Sequence, residues 1–294
     1  MKRHALTRSQ ALLVILFGAV FWSTGGLLVK LVPGNPMGIA AMRSLLALPM
    51  MFLIFPPRTL RITKKAWLYA LFPACTGHLY IFANKLTTAA NAIVLQFISP
   101  VFIILLGLLL FRERPKKADL LVVAATMTGI VLFFLDGLSS GGMLGNFLAI
   151  CSGFCIACYY ICMNRSGEDA GTIVILAQVE IFLIGLPALI TDPLEFTPTA
   201  IVGVVLLGLV QRGLGEAMYA KGAPYCSPLD AILVSMLEPL LNPVWVMLAF
   251  HEVPPPLALA GGILVIGSVV IWNLYKMKEE KQAQLACSSE PDGT

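Results

Sequence analysis

The chain has 294 residues, of which 58% are hydrophobic and only 12% are charged, and its net charge is +4. A soluble globular protein carries roughly 25% charged residues, so this composition excludes a soluble domain with a polar surface in water. The small positive charge does not indicate a nucleic-acid partner, because membrane topology explains it more simply. Backbone amides in hydrocarbon must pair within their own segment, and apolar segments of about 20 residues are typical of membrane-spanning helices. We therefore predict an all-α membrane protein with ten transmembrane helices.

The apolar segments follow one another with short links of turn-forming residues. The predicted spans lie near residues 11–32, 36–56, 66–86, 90–111, 117–136, 143–163, 171–191, 199–220, 227–249 and 257–275. The first span is too long for a removed signal peptide and lacks a small-residue cleavage site, so we expect it to stay as a helix. Residues 1–10 form an N-terminal segment, and residues 276–294 form a tail that we expect to be disordered from residue 279 onward.

The basic residues indicate how the spans cross the bilayer. With the N-terminus in the cytoplasm, sixteen of the 20 Lys and Arg residues lie in the N-terminal segment, the cytoplasmic links or the tail. Only Lys30 and Lys85 fall near outer ends, while Arg43 and Arg212 lie inside spans. Because cytoplasmic loops carry an excess of Lys and Arg, both termini are predicted to be cytoplasmic.

A short phrase occurs once in each half of the chain. Residues 111–115 read Phe-Arg-Glu-Arg-Pro, and residues 250–254, which lie 139 positions later, read Phe-His-Glu-Val-Pro. Pro100 and Pro239 precede the two phrases at the same offset. Five predicted spans separate the copies, so the second copy must cross the membrane in the opposite sense. Inverted homologous halves are a device of secondary transporters, and they predict transport.

The correspondence extends along both halves of the chain. Arg43 in the second span corresponds to Gln178 in the seventh span at an offset of 135. We therefore predict two inverted five-helix repeats, the first over residues 11–136 and the second over residues 143–275.

Together these pieces resemble the EamA-like family of the drug/metabolite transporter superfamily, over roughly residues 10–275. The matching pieces are Trp22-Ser23 with its following glycines, Arg43, the alanine-lysine ends of spans three and eight, Glu238-Pro239 and the two Phe-x-Glu phrases. The resemblance implies a multi-pass transporter in the bacterial inner (plasma) membrane that moves amino acids or other small metabolites, usually outward. The first half departs from the pattern, because Ser99 stands where the second half has Glu238, so symmetric carboxylates do not fit.

Polar side chains inside the predicted spans are the candidates for a site, since a charge at a span centre costs about 2.5–3.5 kcal/mol on insertion. The candidate substrate-binding residues are Trp22, Arg43, His78, Tyr80, Gln96, Tyr159, Gln178, Glu180, Gln211, Arg212, Glu216 and Glu238. We expect these side chains to surround a central cavity between the two halves.

Several of these charges have competing interpretations. Arg212 and Glu216 are four residues apart, so they can form a structural ion pair on one helical face or act as a substrate clamp. Arg43 can hold a carboxylate or phosphate through its forked donors. Alternatively, Arg43 can form a salt bridge to Glu180 or Glu238 that joins the two halves.

Two other ionisable residues lie near the predicted mid-membrane plane. Glu238 can carry a proton, bind a substrate ammonium group, or bond to backbone groups freed by Pro239 or Pro243. His78 can titrate near physiological pH, but for a single histidine a hydrogen-bonded packing role is the more common one.

Four cysteines lie on one face of the sixth span. Cys151, Cys155, Cys158 and Cys162 recur at spacings of 4, 3 and 4. A thiolate metal track is one interpretation of this pattern. Packing of small, soft side chains is favoured, because one helix face spreads the four residues over about 16 Å, too far for a tetrahedral site. We expect neither a metal nor a cofactor.

These features predict a secondary-active transporter of small metabolites, with amino acids or related zwitterions as substrates because the spans contain charges of both signs. A multidrug exporter of quaternary cations is the alternative. An intramembrane enzyme is disfavoured, since the chain lacks His-Glu-x-x-His and Gly-x-Ser-x-Gly motifs. The chain also lacks a Walker A sequence, so we do not expect it to hydrolyse ATP. The expected partners are a small-molecule metabolite and the lipid bilayer. Protons are a candidate coupling ion, and uniport is the alternative. The protein is expected to be a monomer or a weak dimer.

Overall fold

The computed structural model describes residues 6–29, 31–87, 89–135, 138, 142–250 and 256–288, and every regular element within them is helical. The first half contains α1 (Arg8–Ser23), α2 (Gly25–Val29), α3 (Pro36–Ile54), α4 (Lys64–Leu86), α5 (Ala89–Gln96), α6 (Ser99–Phe111) and α7 (Lys117–Phe133). The second half contains α8 (Met143–Arg165), α9 (Ala170–Thr191), α10 (Pro198–Val205), α11 (Gly215–Gly222), α12 (Pro228–Ser235), α13 (Glu238–Phe250) and α14 (Pro256–Ser288). A π-helical segment, Leu206–Leu214, joins α10 to α11.

Polar residues in the links start the helices by accepting hydrogen bonds from free backbone amides. The side chain of Thr63 caps α4 and that of Asp169 caps α9, each through an amide three residues later. Asn35 caps α3, and its Nδ2 also donates to the carbonyl oxygens of Ala188 and Asp192 at 3.1 Å. The start of α3 is therefore joined to the end of α9.

Eight helical segments among the described residues are long and apolar enough to cross a membrane. They cover Arg8–Val29, Pro36–Ile54, Lys64–Ala83, Asn91–Phe111, Met143–Arg165, Ala170–Thr191, Pro198–Tyr225 and Pro256–Glu279. Large apolar side chains such as Leu110, Ile263 and Ile271 are 66%, 73% and 69% exposed on the surface of the bundle. Apolar surface of this kind requires a lipid environment. The chain is therefore a multi-pass membrane protein.

The other two predicted spans are also helical but shorter or interrupted. α7 has 17 residues, whereas α12 and α13 have 8 and 13 residues and are separated at Met236 and Leu237. Pro239 explains this interruption, because it has no N–H to donate to the carbonyl oxygen of Ser235. The number of ten spans remains a prediction.

The discontinuous helices occupy the same place in each half. α5 and α12 begin and end 139 positions apart, and the same offset relates α6 to α13. A two-residue interruption separates the helices of each pair, at residues 97–98 and 236–237. Both interruptions come shortly before a proline, Pro100 or Pro239. Discontinuous membrane helices of this kind border the substrate sites of many transporters.

Helices of one half pack mainly against helices of the other half. α3 packs on α9, and α7 packs on α14. α4 packs on α8 and α9, whereas α11 packs on α1 and the π-helical segment packs on α3. Exchanging the corresponding helices of the two halves converts each of these contacts into another contact of the same set. The packing therefore has an approximate twofold pattern.

α7 and α14 approach each other closely at two glycines. A Cβ atom added at Gly129 would lie 2.9 Å from the carbonyl oxygen of Gly261, and one added at Gly261 would lie 2.5 Å from that of Gly129. Both distances are shorter than carbon–oxygen contact, so only glycine allows this crossing. Small residues serve the same purpose at many membrane helix interfaces.

The predicted disorder of the C-terminal tail is wrong for residues 279–288, because α14 continues through them to Ser288. This segment is rich in Glu, Lys, Gln and Ala, which favour helix. Glu279 lies 3.7 Å from the Nζ of Lys276 and accepts a hydrogen bond from Lys116. That hydrogen bond raises the pKa of the exposed Lys116 ammonium group.

Some parts of the sequence pattern lie outside the described residues. They are Lys30, residues 251–255, which include most of the second repeated phrase, and residues 289–294 of the predicted tail.

Candidate functional site

A cavity of about 830 Å³ lies at the centre of the helix bundle. Ten of the twelve predicted site residues line it, namely Trp22, Arg43, His78, Tyr80, Gln96, Tyr159, Gln211, Arg212, Glu216 and Glu238. These residues come from both halves of the chain, so the cavity lies between the halves. Sites for small molecules have volumes of about 300–1,000 Å³, and the cavity falls within this range.

The remaining two predicted site residues, Gln178 and Glu180 on α9, are not in the cavity wall. Gln178 is fully buried, and its Oε1 accepts a hydrogen bond from the Nε of Arg212 at 3.1 Å. Glu180 is also buried, and its Oε2 has no hydrogen-bond partner among the residues that the structure describes. No ion pair among the described residues includes Glu180, so the salt bridge that was considered between Arg43 and Glu180 is not formed there.

Arg212 and Glu216 form the ion pair expected from their spacing. The NH1 of Arg212 lies 2.8 Å from the Oε1 of Glu216, and the hydroxyl group of Tyr159 donates to the Oε2 of Glu216 at 2.9 Å. Both carboxylate oxygens are therefore bonded within the protein. The pair therefore supplies the partners that charges in a buried environment require.

The π-helical segment brings two consecutive polar residues to the cavity. Gln211 and Arg212 both belong to this segment, and both line the cavity. The Nε2 of Gln211 donates to the carbonyl oxygen of Trp22 at 3.1 Å, which ties the segment to the end of α1. π-helical turns are rare and occur frequently at functional sites.

Arg43 and Glu238 are the cavity charges that the protein leaves without a bonded partner. In the part of the chain that the structure describes, neither side chain forms a hydrogen bond or an ion pair, and the Nε of Arg43 is buried. The charges of Arg212, Glu216 and Glu238 are near enough to act on Arg43 electrostatically. The direct salt bridge that was considered between Arg43 and Glu238 is not formed. In addition to the paired Arg212 and Glu216, the cavity therefore presents one basic and one acidic side chain, Arg43 and Glu238.

The helix break positions Glu238 at the cavity. Glu238 is the first residue of α13, directly after the interruption at residues 236–237. A helix N-terminus favours a negative charge, because its free amides carry partial positive charge. Ser99 occupies the corresponding place at the start of α6, where it is buried and uncharged. The two halves therefore differ in charge at the same structural position.

Two further polar side chains of the cavity wall, His78 and Gln96, form hydrogen bonds within the protein. The Nδ1 of His78 lies 2.8 Å from the carbonyl oxygen of Ala74, one turn earlier in α4. Its Nε2 is buried and has no hydrogen-bond partner in the described ranges. The Nε2 of Gln96 donates to the Oγ of Ser152 at 2.6 Å and connects α5 to α8. His78 therefore lines the cavity and also has the hydrogen-bonded packing role expected of a single buried histidine.

Aromatic side chains close the cavity at its inner end, within the helix bundle. The ring centroid of Tyr219 lies 5.6 Å from Trp22, 5.4 Å from Tyr159 and 4.8 Å from Tyr160. Tyr219 is fully buried behind the other three rings, which line the cavity. Tyr219 was not among the predicted site residues, although it follows Glu216 by three positions and so shares a helical face with it.

The cavity extends to one end of the bundle. Val29 at the end of α2, Phe134 directly after α7 and Ala258 near the start of α14 belong to its wall. The wall does not reach the opposite end, where α1 begins at Arg8 and α8 ends at Arg165. The aromatic residues around Tyr219 separate the cavity from that end.

Several cavity residues were not predicted from the sequence. They are Thr76, Phe97, Phe133, Phe134, Ile156 and Ser235, together with aliphatic side chains of the wall. Most of them are apolar, and an apolar residue in a membrane span carries no signal that distinguishes a cavity wall from a lipid contact.

The cysteines of α8 do not form a metal site in the described part of the chain. Cys151, Cys155, Cys158 and Cys162 are free and partly buried. Among the described residues, no three His, Cys, Asp or Glu side chains are grouped closely enough to hold a metal ion.

A helical membrane bundle whose corresponding halves enclose a polar cavity, bordered by discontinuous helices, has the architecture of a membrane transporter. The model of the EamA-like transporter family matches residues 9–135 and again residues 143–274. The chain therefore belongs to the EamA-like transporter family, and the resemblance seen in the sequence is confirmed.

Individual relatives cover most of the chain. An uncharacterized transporter of Archaeoglobus fulgidus is 27% identical over 282 residues, which are 90% of this chain and 97% of that protein. A probable terminal-alkyne amino-acid exporter of Streptantibioticus cattleyicolor is 27% identical over 203 residues, 66% of this chain and 67% of the exporter. The uncharacterized inner membrane transporter YicL of Salmonella typhimurium is 25% identical over 214 residues, 69% of this chain and 70% of YicL.

A solved crystal structure of a protein has the same fold. It matches with a TM-score of 0.78 at 20% sequence identity, covering 92% of this chain and 99% of that one. At this identity the match concerns the fold alone.

Proposed function

We propose that this protein is a secondary-active transporter that exports small zwitterionic metabolites, with amino acids as the leading substrates, by alternating access. The observation that carries the proposal is the presence of Arg43 and Glu238 in one cavity without bonded protein partners. The forked donors of Arg43 suit a carboxylate, and the carboxylate of Glu238 suits an ammonium group. A zwitterion satisfies both groups at once, which offsets the cost of holding unpaired charges inside a membrane.

The other cavity charges support this division of roles. Arg212 and Glu216 satisfy each other, so they add no net charge to the cavity. The relative named as a probable terminal-alkyne amino-acid exporter also supports an amino acid as substrate and export as the direction.

Quaternary cations are the second candidate substrates. Glu238 and the aromatic faces of Trp22, Tyr159 and Tyr160 in the cavity wall favour them, because aromatic rings attract cations. Arg43 opposes them, since it would repel a cation that carries no carboxylate.

We also propose ten spans in two inverted repeats, over residues 11–136 and 143–275. The contact pattern that survives exchange of the halves supports this arrangement, as do the matching interruptions of the two discontinuous helices. α7 corresponds to α14, and α12 with α13 corresponds to α5 with α6, so the two shorter predicted spans complete the repeat.

The proposed location is the bacterial inner membrane, with both termini cytoplasmic. The excess of Lys and Arg in the predicted cytoplasmic links supports this orientation. The cavity then extends to the outer face and is closed toward the cytoplasm, which is an outward-open state. Because one chain contains both halves, a monomer is sufficient. Protons are the proposed coupling ion and would compete with a substrate ammonium group for Glu238.

Counterflow in proteoliposomes tests the proposed activity. Vesicles containing the purified protein are loaded with one unlabelled amino acid from a panel, and uptake of the labelled compound is measured. Saturable counterflow for zwitterions is expected. Formation of a new product would indicate an enzyme instead, and absence of counterflow across zwitterions and quaternary cations would contradict the proposed transport.

Two variants distinguish the substrate classes. For a zwitterion, Arg43→Gln and Glu238→Gln should each lower counterflow at least about tenfold. Each substitution removes the protein charge that pairs with one charged group of the bound substrate. For a quaternary cation, only Glu238→Gln should do so. Lys221→Gln, on an exposed residue outside the cavity, is the matched charge-removing control and should leave counterflow unchanged.

A further inference from the structure

A buried polar cluster lies at the closed end of the bundle. Asp230 on α12 is 4% exposed and accepts two hydrogen bonds from Arg8. The Nε of Arg8 lies 3.1 Å from the Oδ2 of Asp230, and its NH2 lies 2.8 Å from the Oδ1. This ion pair joins the start of α1 to α12, and neither residue belongs to the cavity wall.

α14 is joined to this ion pair by two further hydrogen bonds. The Nε1 of Trp272 donates to the Oδ1 of Asp230 at 3.0 Å, and the Oδ1 of Asn273 accepts from Arg8 at 3.2 Å. Trp272 also stacks on Tyr275 of its own helix, with ring centroids 6.1 Å apart. These two bonds connect α14 to the unit formed by α1 and α12.

The corresponding residues at the other end of the bundle are arranged differently. The offset of 139 relates Trp272 to Phe133 and Asn273 to Phe134. Phe133 and Phe134 line the cavity and pack against each other, with ring centroids 4.9 Å apart. At the end that the cavity reaches, the helix equivalent to α14 therefore borders open space.

The helix pair equivalent to α1 and α12 nevertheless stays joined at that end. Asn91 on α5 corresponds to Asp230, and its Nδ2 lies 3.2 Å from the Oδ1 of Asn146 on α8. The end that the cavity reaches is therefore open while α5 and α8 stay in contact. By correspondence, the closed end could open while Arg8 and Asp230 stay paired.

We infer that Trp272 and Asn273 form a cytoplasmic latch, which holds the outward-open state and releases from the Arg8–Asp230 pair when the cavity opens to the cytoplasm. The inference rests on the proposed alternating-access function. Release of α14 breaks two hydrogen bonds, whereas separation of Arg8 from Asp230 would leave two charges unpaired in a buried environment. The latch is therefore the contact that yields first.

Cysteine labelling from each side of the membrane tests the latch without knowledge of the substrate. The reporter is Ile156→Cys, at a residue of the cavity wall, in a protein whose seven native cysteines are replaced by alanine. A membrane-impermeant maleimide is applied to right-side-out and to inside-out vesicles. In this parent protein, fast labelling is expected from the outer side and slow labelling from the cytoplasmic side.

Trp272→Phe keeps an aromatic ring and removes the indole N–H together with part of the ring volume, a loss of volume that the Trp245→Phe control reproduces. It should increase the rate of cytoplasmic labelling about tenfold, because it weakens a hydrogen bond to a charged group and labelling follows the population of the opened state. Asn273→Leu, of similar size, should have an effect in the same direction. Trp245→Phe is the matched control, since it removes another indole hydrogen bond, to Ser23 Oγ at 2.7 Å, that does not involve α14.

The outcomes separate the latch from the proposed function. If Ile156→Cys is labelled from outside but neither Trp272→Phe nor Asn273→Leu accelerates cytoplasmic labelling, the latch is wrong and the outward-open transporter stands. An equal acceleration by Trp245→Phe would also overturn the latch, because any lost bond would then suffice. If the parent protein is not labelled from outside, the outward-open cavity is wrong and the latch fails with it.

Discussion

Glu216 is held by two partners of different chemistry, and their separate removal should have different costs. Glu216→Gln leaves Arg212 as a buried charge without its counter-ion, which we expect to lower the free energy of unfolding by about 3–5 kcal/mol. Tyr159→Phe removes one hydrogen bond to a charged group and should cost about 1.5–3 kcal/mol. Unfolding of the purified protein in a fixed detergent measures both values.

The control for Tyr159→Phe is the same substitution at Tyr225, whose side chain is 38% exposed. Tyr225→Phe should change the free energy of unfolding by less than about 0.5 kcal/mol. If all three variants were equally stable, the interactions of Glu216 with Arg212 and Tyr159 would not stabilise the fold.

The sequence predicts the partner of a charged side chain well only where that partner lies nearby in the chain. The pair of Arg212 and Glu216 follows from a spacing of four, because both residues lie on one turn of the same helix. Which arginine stays unpaired does not follow from any spacing. Gln178 on α9 bonds to Arg212, whereas Arg43 on α3 has no bonded partner within the described part of the chain. This difference depends on contacts between distant helices.

The crossing of α7 and α14 depends on the absence of side chains at one point. Gly261→Ala would place a Cβ atom 2.5 Å from the carbonyl oxygen of Gly129, so the two helices would have to separate. We expect a loss of about 1–3 kcal/mol in the free energy of unfolding, which is typical of overpacking. Gly267→Ala on the same helix meets no atom within 4 Å and should be neutral or stabilising, because alanine favours helix. Equal effects of the two substitutions would contradict a crossing that requires glycine.

Element boundaries were predictable where turn-forming residues mark them and less so inside the apolar segments. Pro100 and Pro239 are visible in the sequence, but the two-residue interruptions before them depend on how each helix restarts against its neighbours. The prediction of a disordered C-terminal tail was wrong for residues 279–288, because composition does not show the contacts that a segment makes. The polar composition of this tail indicates disorder, yet Glu279 makes contacts with Lys116 and Lys276 that connect the extended α14 to the start of α7.

The main contacts between the described helices of the two halves recur when corresponding helices are exchanged, yet the two ends of the bundle differ. At one end Phe133 and Phe134 line a cavity, and at the other Trp272 and Asn273 bond to Asp230 and Arg8. If the two halves share one fold, each half can adopt the conformation that the other has now. The molecule then has two asymmetric states, one open at each end. This property is what alternating access requires, because the exchange of conformations between the halves converts one open end into the other.

The proposed inversion of the two halves makes a prediction about the two copies of the repeated phrase. Glu113 and Glu252 occupy the same place in the phrase, 139 positions apart, and should lie on opposite sides of the membrane. In a cysteine-free protein in oriented vesicles, an impermeant maleimide should label Glu113→Cys from the cytoplasmic side and Glu252→Cys from the outer side. Thr59→Cys, in the exposed link between α3 and α4, is the cytoplasmic reference. Labelling of both positions from one side would mean that the halves are parallel, and parallel halves could not exchange an outward-open state for an inward-open one by the mechanism proposed here.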